Sequence, residues 1–185
     1  MGAIALFASA ALAAPLTGND ARNQLFEPAS VEVKVLDLPF LSDQDKQVLP
    51  QIAADQRYYG AIAFGPDDGL LSESLAGAFN FHDVASASAA AVKDCETRRT
   101  GNAACQVVLE LRPKGWAPDR AISLSGDATV AFDAQYRKAK SPKAMAVSPS
   151  TGLFAVATDA AAPGTAQAQC DALAQAGDCT VVLSE

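Results

Sequence analysis

His82 is the only histidine in a chain of 185 residues, and Asp83 stands directly beside it. An imidazole titrates near neutral pH, and an adjacent carboxylate can orient it, which is the pairing a general base uses. Ser72, Ser74, Ser86 and Ser88 are its sequence neighbours and would supply a hydrolase with its hydroxyl, but no Gly-x-Ser-x-Gly elbow is present. The structural alternative is a histidine at a helix start, bonded to backbone, with Asp83 capping the helix.

Trp116 is the only tryptophan and follows Arg112-Pro113-Lys114-Gly115. An aromatic plane beside cations suits a sugar face or a protein partner, and equally suits a plug between two packed halves. Tyr58 and Tyr59 open the same two readings at the start of a strand. The candidate binding residues are therefore His82, Asp83, Trp116, Arg112, Lys114, Tyr58 and Tyr59. Asp67-Asp68 and Asp43/Asp45 fall in a turn and at a helix start, where carboxylates have local reasons to be. No metal site is expected from one histidine and cysteines separated by eight or nine residues.

The elements that must position these residues read as a mixture of helices and short strands. Helices are expected at 17–26, 42–56, 84–94, 127–140 and 165–174, with Pro50 kinking or splitting the second. Strands are expected at 31–36, 58–64, 70–79, 105–111, 144–147, 153–158 and 179–183 from apolar runs or alternation bounded by turn residues. Asp83 caps the helix that follows it, whose Ala/Ser run is slim enough to lie close on a sheet.

Much of this pattern occurs twice. Residues 61–70 (Ala-Ile-Ala-Phe-Gly-Pro-Asp-Asp-Gly-Leu) reappear 83 positions later as 144–153 (Ala-Met-Ala-Val-Ser-Pro-Ser-Thr-Gly-Leu). Cys95 and Cys105 follow the first run, and Cys170 and Cys179 follow the second. At the same offset Leu41-Ser42 falls on Leu124-Ser125 and Leu49 on Phe132. The fold class expected is α+β, a tandem duplication of an α-β-β-α-β unit with mainly antiparallel sheet. Four cysteines allow three pairings, and the repeat favours Cys95–Cys105 and Cys170–Cys179, each internal to one unit. Loops this short would contribute about 2.5–3 kcal/mol each on the chain-entropy model. The first unit is longer by eight residues between its turn glycine and first cysteine, an extension expected around 76–86, which includes His82.

Residues 1–13 carry no charge and end in small residues, as the apolar and cleavage regions of a secretory signal peptide do, although no basic residue precedes the apolar run. The organisation expected is a signal peptide at 1–13, an N-terminal helix and strand at 14–40, and units at 41–117 and 118–185 packed together. Export to the periplasm or beyond makes disulfides the default reading of the cysteines. A net charge of −7 argues against binding a phosphate backbone, so nucleic acid is set aside. No membrane span is expected in the mature chain.

The run Tyr59-Gly60-Ala61-Ile62-Ala63, with Gly69, an Ala-rich helix ending at Cys95, and Cys105 opening a Val-rich strand, resembles a domain of unknown function of secreted bacterial proteins. The second unit departs from it, having Lys143-Ala144-Met145-Ala146 without the glycine. Over the full length, Leu16-Thr17-Gly18, His82-Asp83, residues 112–116 and residues 143–152 resemble small exported alphaproteobacterial proteins often labelled 5-aminolevulinate synthase. That resemblance implies pyridoxal phosphate held on a lysine, with Lys143 the lysine to examine, plus a phosphate cup. The residues themselves show no Gly-rich phosphate loop, and read alone they call for no cofactor. The expectation is a secreted, disulfide-stabilised, non-catalytic module that binds a protein, glycan or small ligand of the cell envelope. The alternative is an enzyme, either that synthase or a hydrolase built on His82.

Overall fold

The computed structural model describes residues 14–185; the proposed signal peptide lies outside the described residues. The elements run α1 (Gly18–Arg22), β1 (Val31–Val35), α2 (Asp43–Ala53), β2 (Gly60–Phe64), β3 (Ala76–Ala78), α3 (Val84–Arg98), β4 (Gln106–Pro113), α4 (Gly126–Ala131), β5 (Ala144–Val147), β6 (Phe154–Ala157), α5 (Ala162–Ala174) and β7 (Thr180–Ser184). A π-helical turn, Phe132–Tyr136, continues α4. The class is α+β, with two antiparallel sheets ordered β1-β4-β2-β3 and β6-β5-β7. Both expected disulfides, Cys95–Cys105 and Cys170–Cys179, are present.

Each sheet lies between two helical layers, because its central strand is apolar on both sides. Ile62 and Phe64 of β2 face Leu41, Leu49 and Ala53 around α2, while Ala61 and Ala63 face Ala87 and Ala91 of α3. Met145 and Val147 of β5 face Ala128, Phe132 and Tyr136, while Ala144 and Ala146 face Ala162 and Ala166 of α5. Alanine on both surfaces lets α3 and α5 lie close on their sheets, at the cost of little buried area per residue.

The two halves correspond in detail at the 83-residue offset. The register of β2 on β4 slips between Ile62 and Ala63, and that of β5 on β7 slips between Met145 and Ala146. Ser42 accepts the Asp45 N–H at the start of α2, and Ser125 accepts the Ala128 N–H at the start of α4. Asp45 completes a capping box in the first half, as its spacing allows. Gly69 and Gly152 both take positive φ in the turns after the central strands.

Several boundaries differ from expectation for local reasons. Pro50 neither ends nor splits α2, which runs three residues past it and forgoes the single hydrogen bond to the Lys46 carbonyl. The strand expected at 70–79 shrinks to Ala76–Ala78, because Ser72 and Leu75 donate to Gly69 and Ser72 carbonyls and fold 70–75 into turns. α3 passes Cys95 and ends at Arg98, so the disulfide leaves from inside the helix. α5 starts at Ala162, earlier than expected, since Pro163 is tolerated in a first turn.

The extension is also divided. Ala78 lies nine residues beyond Gly69, whereas its counterpart Ala157 lies five beyond Gly152, so half of the surplus precedes β3. The other half falls between Ala78 and Cys95 and contains His82. The expected location at 76–86 is therefore right for only one of its two parts.

Candidate functional site

His82 sits at the junction of the halves and is 4% exposed. Its Nδ1 accepts the Ser125 backbone N–H at 3.1 Å, so that nitrogen carries no proton. The Nε2–H is then free to donate to the Leu153 carbonyl, also at 3.1 Å. Burial pushes the imidazole below its ordinary range, against the Leu153 bond and the Asp83 charge, which act the other way. A buried neutral ring with both nitrogens on backbone joins the β3–α3 connection to Ser125, the N-cap of α4, and to Leu153, the residue before β6.

None of the neighbouring serines is hydrogen-bonded to that ring. Ser86 donates to Asp83, whose carboxylate accepts the Ser86 N–H at 2.7 Å and its hydroxyl at 2.9 Å. Ser74 accepts the Gly65 N–H and shares a bond with Ser72. Asp83 thus caps α3, the local role its position suggested.

The junction is reinforced on both sides of His82. Gly126 N–H donates to the Tyr58 carbonyl, Arg57 pairs with Asp127 at 2.8 Å, and Asn80 exchanges two hydrogen bonds with Asp127. Gly152 makes this approach possible: a Cβ there would collide with the Asn80 carbonyl. Tyr58 and Tyr59 lie inside, 1% and 2% exposed, with their rings edge to face at 5.2 Å. The Tyr58 hydroxyl donates to the Phe26 carbonyl, and burial pushes the phenol up to about 12. As candidate surface residues the two tyrosines are thereby corrected; they are core.

Trp116, Arg112 and Lys114 form a separate surface at the end of β4. The Arg112 guanidinium lies 4.1 Å from the centre of the Trp116 ring and pairs with Glu110, and Lys114 is exposed. None of these three lines the ≈ 340 Å³ cavity beside His82 and Asp83. The candidates from the sequence therefore occupy three places: junction, interior and the β4 end.

Lys143 is the lysine that the pyridoxal phosphate implied by the resemblance would need. Its ammonium pairs with Glu185 at 2.9 Å, donates to the Ala139 carbonyl and lies 4.8 Å from the Tyr136 ring centre. The Lys143 hydrogen bond and the Gly18 N–H hold the Glu185 carboxyl below its usual range. A Schiff base needs an amine open to its ligand, and this side chain is buried with its nitrogen held between Glu185, the Ala139 carbonyl and the Tyr136 ring, so the residues do not fit that group.

The feature that no single motif pointed to is a groove of ≈ 610 Å³ between α3 and the turn after β5. Ala89 and Ala90 of α3 and Pro149 give it apolar walls, and Lys93, Asp94, Ser150 and Asp178 give it polar ones. Asp178 is held by the Ser148 hydroxyl at 2.6 Å and the Ser150 N–H at 2.9 Å. Burial alone would raise the Asp178 carboxyl, but these bonds outweigh it and leave it below its ordinary range. Cys95 anchors α3 from within, and Cys179 follows Asp178 directly, so a disulfide stands behind each wall. No family model matches the chain, and neither a curated protein nor a solved structure matches it.

Proposed function

We propose that this protein is a disulfide-stabilised binding or accessory module of the cell envelope, taking a short peptide, glycan or small polar ligand in the groove beside α3. The observation that carries this reading is the groove itself. Its volume falls in the range of about 300–1,000 Å³ usual for ligand sites, and mixed apolar and charged walls suit an amphipathic ligand. Both walls are tied by disulfides, so little ordering cost attends binding. The commitment of both His82 nitrogens to backbone supports a non-catalytic role for that residue.

The disulfides fit an oxidising compartment, and no helix among the described residues is long and apolar enough to cross a membrane. Together with the apolar residues 1–13 this supports export. The shared register slips, caps and turn glycines at one offset support reading the halves as copies of one unit.

The test is an NMR titration with short peptides and oligosaccharides, followed by the same titration of Ala90→Trp, which fills the groove. Saturable shifts at Ala89, Ala90, Lys93, Ser150 and Asp178, lost in the variant, are expected. Shifts confined to other surfaces, or an acyl-hydrolase activity abolished by His82→Asn, would overturn the reading.

A further inference from the structure

The four outer edges of the two sheets are not equally protected. β1 presents Glu32 and Lys34, and β3 is only three residues long. β7 is met by Leu16, whose N–H donates to the Val182 carbonyl and whose carbonyl accepts the Ser184 N–H. Charge, shortness and a covering segment are the usual ways to keep a sheet edge from pairing with another chain. β6, Phe-Ala-Val-Ala, has no such device.

Its free groups can be assigned from the hairpin. Ser148 N–H donates to the Leu153 carbonyl at 2.8 Å, so the bonded positions toward β5 are 153, 155 and 157. Phe154 and Val156 therefore turn their N–H and C=O groups outward. No hydrogen bond from a side chain or from a turn reaches these groups among the described residues. A groove of ≈ 450 Å³ runs along this edge, with Gln135 on one side and Gln169, Ala172 and Leu173 on the other. No charged residue lines it, in a chain whose net charge is −7. Leu173 is 60% and Leu153 42% exposed beside it.

We infer that β6 pairs antiparallel with β6 of a second copy, making one continuous six-stranded sheet across a two-fold axis. With Ala155 on the axis, Phe154 of one copy exchanges backbone hydrogen bonds with Val156 of the other. The same register sets Asp159 opposite Thr151 of the second copy, so no like charges meet along the strands. The helices also fit. α5 covers β5 and β6 about equally, so pairing separates the two α5 axes by two strand spacings, about 9.6 Å, within the 8–10 Å at which helices pack. Leu173 and Ala172 then meet the other helix instead of water. A short strand and one helix face per copy make an interface at the small end of specific ones, and the dimer is accordingly reversible. It presents two copies of the groove beside α3.

Sedimentation velocity of the purified protein across a concentration series tests this. A reversible monomer–dimer equilibrium is expected, tightened by raising NaCl from about 50 mM to about 500 mM because the copies repel at long range. Leu173→Glu should weaken it at least about tenfold with an unchanged far-UV spectrum and melting temperature, a loss of about 1.4 kcal/mol or more. Leu71→Glu, at a residue that is 93% exposed outside this edge, should leave it unchanged. A monomer at every concentration, including one that binds foreign extended peptides instead, overturns the inference. So does a dimer that Leu71→Glu weakens as much as Leu173→Glu.

Discussion

The two halves fasten the turn after the central strand to the loop before the last strand with the chemistry reversed. In the first half the turn supplies the carboxylates: Asp68 accepts from Thr100 and Gly101, and Asp67 from Asn102 and Ala103. In the second half the loop supplies it, as Asp178 reaches back to Ser148 and Ser150. The same mechanical link is made either way. Only the second arrangement places its carboxylate in a groove against the other half. The register slips, caps and turn glycines common to both halves build the scaffold, and the halves differ in what they bring to the junction: His82 and Asn80 from the first, Ser125, Asp127 and Gly152 from the second.

Gly60 and Lys143 show the same division. The Phe79 ring lies over the sheet where a Cβ on Gly60 would come within 2.5 Å of it, so glycine is required there. At the corresponding place the second half has no such ring and carries Lys143, paired with Glu185 near the chain's end. A glycine that looked like a family mark is a packing requirement of one half.

The largest expected effect tests the shared part. Replacing either cysteine pair by serine should lower stability by about 2–5 kcal/mol, and by similar amounts for the two pairs, because the closed loops span 10 and 9 residues. Chemical denaturation checks this; a pair whose removal changes nothing would break the equivalence.

Next come the turn glycines, which should behave unequally. Gly69→Ala meets open space and should cost about 1 kcal/mol for its positive φ alone. Gly152→Ala adds a collision with residue 80 and should cost about 2–5 kcal/mol. Equal losses would show that the halves do not touch there.

His82→Ala should cost about 2 kcal/mol by leaving the Ser125 N–H and the Leu153 carbonyl unpaired. It should also change the pH dependence. The folded pKa of His82 lies below its unfolded value of about 6.5, so the unfolded chain binds more protons between the two. Stability from this residue is full above pH 6.5 or so and declines as pH falls toward the folded value. Denaturation at pH 7.5 and 5.5 should show that slope in the wild type and a shallower one in the variant.

The smallest effect concerns the reversed links. Asp178→Asn should cost about 1 kcal/mol or less, since the site is partly solvated. The lowered carboxyls of Asp68 and Asp178 contribute stability above their unfolded pKa of about 4, which is lost as pH falls through the folded values. Thermal melts of Asp68→Asn and Asp178→Asn at pH 7 and pH 3 check the sign: both variants should approach the wild type at the lower pH.

The elements of the fold were largely readable because they rest on local chemistry. Ser42, Asp83 and Ser125 cap helices by side chains that reach three residues ahead, and Gly69 and Gly152 mark turns by a conformation few other residues accept. The disulfide pairing followed from cysteine positions at corresponding places. Burial of Tyr58 and Tyr59 was not readable, since it depends on distant partners: the Gly126 N–H donates to the Tyr58 carbonyl and the Phe26 carbonyl accepts from the Tyr58 hydroxyl. Nor was the groove, because Ala90, Ser150 and Asp178 share no local pattern and are brought together only when the halves dock. His82 was singled out for its rarity, but its role depends on the Ser125 N–H, 43 residues away.

The most direct measurement is the protonation state of His82 by long-range proton–nitrogen correlation NMR between pH 7.5 and pH 5.5. A joint between the halves requires a ring that is neutral at pH 7.5, with its proton on Nε2 and none on Nδ1, and that takes up a second proton only below the ordinary histidine range. An imidazolium at pH 6.5, or a neutral ring with its proton on Nδ1, would contradict the assignment of His82 to the scaffold and return it to the candidates for catalysis.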